Sequence, residues 1–212
     1  MTLKHQPRPR GGSSALARAF LCSSYARALS RLYQLEKVGI PCTVDLRKYA
    51  KDKTGIANLT GSYNLNLQLR SGAAFADTLA DTSRRMKKQK GTQNDLAGPM
   101  LLVSKYEKSS LEQFLKLYGG MDTSPSADYT NLGILDAQRL IFDGMAVKNA
   151  VVYSGLSKAP YFQLAVSTYQ GEATVASLVQ CSEAEKANAE RILDAVVEEL
   201  AAFAGPMAAS RA

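Results

Sequence analysis

The sequence predicts an α+β fold, a mixed and largely antiparallel sheet covered by helices, and three observations lead there. Apolar residues recur at helical spacing near the beginning and again at the end of the chain. Between them "IPCTVDLR" and "YNLNLQLR" alternate apolar with polar residues, the period of a strand with one buried face. The second half then offers four β-branched and aromatic runs in quick succession, two of them joined at Gln170-Gly171. With 212 residues, 46% hydrophobic and 21% charged, the chain is long enough to bury a core and has an ordinary globular composition. No apolar run reaches the ~20 residues that span a membrane.

In chain order, "KHQPRPRGGSS" has Pro, Gly and Ser punctuation and no period, so residues 1–12 read as a disordered basic tail. A helix starts near Ser13 or Ser14, with Leu21, Tyr25, Leu29 and Leu32 on one face. In "IPCTVDLR" the residues Cys42, Val44 and Leu46 take one side of a strand, and Thr43, Asp45 and Arg47 the other. After a polar loop, Leu65, Leu67 and Leu69 mark the next strand. Ser71 is placed to cap a helix with Phe75, Leu79 and Met86 along it. Its acids Asp77 and Asp81 come early and its bases, Arg84 to Lys90, late, which suits the helix dipole. A solvated helix end is a simpler reading of those bases than a phosphate contact. "SSLEQFLKLYGG" is a short helix ended by Gly119 and Gly120.

Four strands are then expected, in "ADYTNLGIL", "AVKNAVVYSGL", "YFQLAVSTYQ" and "EATVASLVQ", the last two joined by a tight hairpin. Ser182 and Glu185 form a capping box for a closing helix with Ala189, Leu193, Val196, Leu200 and Phe203 on one face. Residues 13–204 thus make the folded unit, and residues 205–212 a frayed tail.

Net charge is +7, and its placement matters more than its size. Lys4, Arg8, Arg10, Arg18, Arg27 and Arg31 precede the first acid, Glu36, leaving 20 basic against 19 acidic residues in the remainder. Such a start also suits a transit peptide or a nucleic-acid arm, but aromatic residues are not interleaved with the charges, which argues against nucleic acid. Cys22, Cys42 and Cys181 are odd in number, far apart and without C-x-x-C spacing. That pattern speaks against a disulfide framework and a zinc site and fits a reducing cytoplasm.

No self-sufficient catalytic constellation is visible. The single histidine, His5, lies in the tail, where nothing holds it as a general base must be held. There is no G-x-x-x-x-G-K-[ST], no G-x-G-x-x-G and no G-x-S-x-G. Two candidates remain. Arg47, on the polar side of its strand, could hold a carboxylate in two parallel hydrogen bonds, against the plainer role of an exposed strand arginine. Asn131, in "YTNLG", could donate to a ligand oxygen, against the plainer role of a turn asparagine bonded to its own backbone.

The order "LCSSYARALSRL", "VDLRKY", "GIANLTGSYNLNLQLRSGAAFADTL", "YTNLGIL", "PYFQLAVSTYQGEATVASLVQ" and a final amphipathic helix resembles the C-terminal half of condensation-domain and alcohol-acetyltransferase-like acyltransferases, of the chloramphenicol-acetyltransferase-like superfamily. The resemblance runs from about residue 15 to 204. It implies one lobe of a two-lobed fold, with a reaction tunnel between the lobes. It also implies acyl transfer from acyl-CoA or an acyl-carrier thioester, used as a co-substrate, to an alcohol or amine, with no bound cofactor and no metal. In such enzymes an H-H-x-x-x-D-G motif of the first lobe supplies the base, and its Asp pairs with an arginine early in the second lobe. By resemblance Arg47 is that arginine, and Asn131 lies near the reacting carbonyl. This chain has no such histidine pair, so it is expected to be inactive without a first lobe. The expected partner is that N-terminal lobe, or a second copy joined through the face the lobe would cover. A non-catalytic interaction or dimerisation module derived from the same fold is the alternative.

Overall fold

The computed structural model describes residues 2–4, 13–51, 59–70, 72–120, 127–158 and 161–204. His5, most of the basic tail, Ser71 and the residues after 204 lie outside them, so the expectations on those residues go no further.

Helix α1 (Ser13–Tyr33) lays Cys22, Tyr25, Ala26 and Leu29 on the sheet, and the small residues Ala19, Cys22 and Ser23 let it approach closely. Helix α5 (Glu183–Ala204) lies beside it and buries Ile192, Val196 and Leu200. Its capping box forms: Ser182 N donates to Glu185 Oε2 at 2.7 Å and Glu185 N to Ser182 Oγ at 3.4 Å. Much of the basicity of α1 is paired with acids of α5. Arg27 Nε meets Glu199 at 2.9 Å and Arg31 meets Glu198 at 2.7 Å. Helix α2 (Phe75–Gly91) completes this layer, with Thr78, Thr82 and Met86 buried and Phe75 edge-on to Phe20 at 5.3 Å. It begins with Ala74 in the capping position and no side-chain cap.

The sheet has six strands in the order β1-β9-β8-β4-β2-β3. Antiparallel pairing joins β2 (Lys37–Asp45) to β3 (Thr60–Gln68), β8 (Phe162–Tyr169) to β9 (Glu172–Ala176), and β9 to β1 (Thr2–Lys4). Parallel pairing joins β4 (Ala127–Ile134) to β8 and, at one bridge, to β2. The fold is therefore α+β with a mostly antiparallel mixed sheet, as the sequence predicts. Within the stretch expected to be a disordered tail, Thr2–Lys4 instead extend the sheet edge. The β8–β9 turn has φ of 48° at Gln170 and 88° at Gly171, the left-handed pair that a two-residue hairpin requires.

One expected strand does not form. "AVKNAVVYSGL" gives one residue, Ala146, to the two-residue pair β5 (Ile141–Phe142) and β6 (Met145–Ala146), and the next short strand, β7 (Ser157–Lys158), begins just after it. Between them residues 147–156 cross the outer face of β8: Tyr169 Oη donates to Val147 O at 2.6 Å, and Val152 N to Ser167 Oγ at 3.4 Å. A strand needs a free neighbouring edge, and β8 already has β4 and β9 on its two sides. Likewise "EATVASLVQ" breaks into β9 and β10 (Val179–Gln180), which pairs with β7.

Helix α3 (Ala97–Glu107), which the sequence did not announce, and α4 (Leu111–Gly120) stand apart from this core. Gly119 and Gly120 lie in the last turn of α4, not beyond it. Tyr106 and Phe114 join the two helices edge-on at 5.4 Å. Met100, Val103, Leu111 and Leu115 remain exposed on them, as do Phe142 and Met145 on the β5–β6 hairpin.

Candidate functional site

Both sequence candidates come to the same end of the sheet, where β2 and β4 finish. The bridge Cys42↔Tyr129 sets the register, so Val44 stands beside Asn131 and Arg47 lies just past the end of β2. Arg47 is not on a strand. The strand stops at Asp45, and Leu46–Tyr49 turn into a 3-10 helix. Asp45 caps that turn, its Oδ1 accepting from Arg47 N at 2.9 Å and from Arg47 Nη1 at 3.3 Å. The alternation expected through Leu46 fails because an Asp can satisfy the first free N–H of a turn, and here it does so. Leu46 rotates inward and is buried.

The Arg47–Asp45 pair is solvent-exposed, so it holds the guanidinium loosely. Among the described residues only Nη1 is engaged, which leaves donors on the rest of the fork for a carboxylate. Around it the charge is more tightly organised. Asp95, in a 3-10 turn at Asn94–Leu96, is 1% exposed and accepts from Lys48 Nζ at 2.6 Å and from Tyr49 Oη at 3.1 Å. Burial works to raise the Asp95 carboxyl, but the bonds from Lys48 and Tyr49 outweigh it and hold the group below the usual carboxylate range. The same bond to Asp95 raises the Lys48 ammonium. Lys90, at the end of α2, is lowered by burial and by the nearby charges of Arg18 and Lys48. This corner of the molecule is thus cationic, with one buried carboxylate fixing it to β3.

Asn131 is half-buried at the bulge between Asn131 and Gly133, where β4 slips in its register with β8. Its Oδ1 accepts from Gly133 N at 2.8 Å, and its Nδ2 donates to Tyr129 Oη at 3.0 Å. The Tyr129 hydroxyl in turn donates to Arg18 O at 3.3 Å. Burial pushes the Tyr129 phenol well up, so it stays protonated and keeps that donor role. Asn131 therefore caps its own bulge, as the plainer sequence reading held, and one Nδ2–H remains beyond the Tyr129 bond. The sequence did not reveal Asp95 or Tyr129. Tyr129 and Asn131, two apart on one strand, carried a usable signal; Asp95, 47 residues from Lys48, carried none. Among the described residues no three His, Cys, Asp or Glu side chains converge on a metal-sized site, and no helix is long and apolar enough to cross a membrane.

No protein-family model and no curated protein sequence matches the chain. Solved structures do match it. The starter condensation domain of the rhizomide synthetase RzmA is 14% identical with a TM-score of 0.59, over 95% of this chain and 45% of that one. The epimerization domain from the third module of tyrocidine synthetase B is 14% identical with a TM-score of 0.56, over 96% and 47%. The trichothecene 15-O-acetyltransferase from Fusarium sporotrichioides is 16% identical with a TM-score of 0.56, over 88% and 41%. The fold is the one these domains share, and the chain spans less than half the length of each.

Proposed function

We propose that this chain is the second lobe of a two-lobed acyltransferase that takes an acyl group from acyl-CoA or an acyl-carrier thioester to an alcohol or amine. One observation carries the reading: nearly all of the chain follows half of a condensation domain, and its cationic corner at the end of β2 keeps guanidinium donors open to a carboxylate. On this reading Arg47 receives an Asp of the first lobe, which fixes the two lobes in register. Asn131 offers its remaining N–H to an oxygen at the seam, as an amide can to a carbonyl that gains negative charge. The general base belongs to the first lobe, and a missing base costs ~10² to 10⁴-fold in rate.

The chain alone is accordingly expected to release no CoA from acetyl-CoA with any alcohol or amine. The test is to read the DNA upstream for an H-H-x-x-x-D-G segment in frame, express both segments as one protein, and follow thiol release. Transfer by the two-lobe protein that Arg47→Ala weakens supports the reading. Turnover by the chain alone that survives His5→Ala would refute it, as would an inert two-lobe protein on both thioester classes.

A second reading is favoured by the bare apolar residues on α3 and α4, since patches of several hundred Å² are seldom left uncovered. On that reading the lobe is a dimerisation module and α3–α4 meet a second copy. Sedimentation separates the two: a concentration-dependent dimer abolished by Leu111→Asp and Leu115→Asp supports the module, and a strict monomer removes it.

A further inference from the structure

The sheet is split between β2 and β4. One bridge, Cys42↔Tyr129, joins these strands, and upstream of it β2 runs from Lys37 to Pro41 with β3 as its only neighbour among the described residues. The register tells which backbone groups face the split. Leu69 N donates to Glu36 O at 2.7 Å and Leu46 N to Leu59 O at 2.8 Å, at the two ends of the β2–β3 ladder. The even-numbered residues of β2 therefore exchange hydrogen bonds with β3, and the odd-numbered ones turn theirs the other way. Lys37 and Gly39 present both N–H and C=O to the split. Pro41 stands where its missing N–H would also have pointed, which is why a proline is tolerated inside this strand.

The split opens into a cleft of about 770 Å³ that passes from the outer face of the sheet to the helical layer. Its floor is apolar, with the buried side chains of Leu29, Phe162 and Ile192. Its mouth carries Lys37, Asn64 and Asn66. Glu185, also in the lining, is occupied by Ser182. Lys37 has no such partner among the described residues.

We propose that this split is a docking slot for an extended polypeptide segment with an apolar residue flanked by carboxylates. The segment adds a strand along Lys37–Pro41, sets its apolar side chain on the Leu29–Phe162–Ile192 floor and places a carboxylate beside Lys37. A backbone is the occupant that the open groups require. They recur every second residue, about 7 Å apart, the spacing that another strand answers. An aliphatic ligand would fill the floor and leave the N–H and C=O of Lys37 and Gly39 without partners. Gly39 has no side chain to obstruct the outward-pointing residues of the guest. The slot lies at the opposite end of β2 from Arg47, so its occupancy is read independently of acyl transfer.

The probe is Ac-Glu-Val-Thr-Val-Glu-NH2, acidic at both ends so that either strand direction brings a carboxylate to Lys37, together with its N-methyl-valine analogue. With the full chain, saturable binding is expected by fluorescence anisotropy of the dye-labelled peptide, with slowed amide exchange centred on Lys37 and Gly39. The N-methylated analogue should bind at least about tenfold more weakly. Gly39→Pro removes one slot-facing N–H without touching the β2–β3 ladder, and Lys37→Glu reverses the charge; each should weaken the probe about tenfold. Ala189→Leu, which narrows the cleft from α5, gives the same loss if Gly39→Pro fails to fold. Equal binding of the methylated analogue, protection elsewhere, or no saturation at millimolar peptide overturns the proposal. Decanoate that binds the cleft where the peptide does not overturns it in favour of an aliphatic ligand.

Discussion

Gly61→Ala should destabilise the protein, although a glycine inside a strand ordinarily gains from the change. Removing the conformational freedom of glycine is worth ~0.5–1 kcal/mol when the new residue fits. At Gly61 it does not fit. A Cβ there would stand 2.2 Å from the carbonyl oxygen of Asp95 and 2.9 Å and 3.1 Å from the two methyl carbons of Leu46. Leu46 can rotate, but the carbonyl is backbone, and moving it displaces the turn that holds Asp95 on Lys48 at 2.6 Å. Overpacking of this kind costs ~1–3 kcal/mol, and a backbone obstacle puts it at the upper end. The net loss is about 2 kcal/mol, or a Tm lower by ~4–8 °C for a chain of this size. Gly39→Ala is the control: its Cβ meets only Asn66 Oδ1, at 3.1 Å, the far end of an exposed side chain. It should be neutral or stabilising by up to ~0.5 kcal/mol. Thermal unfolding by calorimetry and urea unfolding by far-UV circular dichroism read both variants. Trimming Leu46 to Ala should not rescue Gly61→Ala, because the carbonyl remains. A Gly61→Ala protein as stable as the wild type, or equal shifts for the two variants, would refute the reasoning.

Asp95→Asn should cost about 1–2 kcal/mol at neutral pH, less than a fully buried pair because Lys48 is 43% exposed. The carboxyl of Asp95 is lowered in the folded state. Its contribution is therefore complete above the unfolded value near 3.9 and is lost as pH falls through the folded value. Urea midpoints of wild type and Asp95→Asn should draw together as pH falls below the unfolded carboxylate value, and a gap that widens on acidification would contradict the sign. Arg47→Ala should change stability by under ~1 kcal/mol, since its bonded carboxylate among the described residues is the exposed Asp45; a loss above ~2 kcal/mol by denaturation would mean a buried partner. Ser182→Ala should cost ~1 kcal/mol and speed amide exchange in the first turn of α5, and unchanged exchange there would remove the capping box as its anchor.

Elements whose signals are local were legible in the sequence. The β3 strand carries four alternating buried positions, α5 carries its own capping box, and Gln170-Gly171 supplies the turn chemistry of its hairpin. What escaped depends on neighbours. Residues 147–156 have strand propensity but no free edge to join. Helix α3 buries no residue completely, so no apolar stripe announced it, and Pro99 is tolerated because it falls in the first turn. Arg47 was carried one step too far along an alternation that Asp45 had already ended. Asp95 is a lone carboxylate in a polar stretch, and only the folded chain brings Lys48 and Tyr49 to it. The roles of Arg47 and Asn131 in chemistry were suggested by the order of motifs, and the geometry adds which of their donors stay available.

The clasp between α1 and α5 has a consequence for when the protein can fold. Arg27 and Glu199 are 172 residues apart in sequence, and the helices they join are the first and the last. A ribosome that has finished β9 has already made α1, α2 and all six strands of the sheet, yet Tyr25 and Leu29 still lack Ile192 and Val196 of α5, which share their buried core. Until α5 emerges, that apolar groove stands open on a half-made product, in the state most prone to aggregate or to meet a chaperone. Assembly of this fold is therefore a late event in its synthesis.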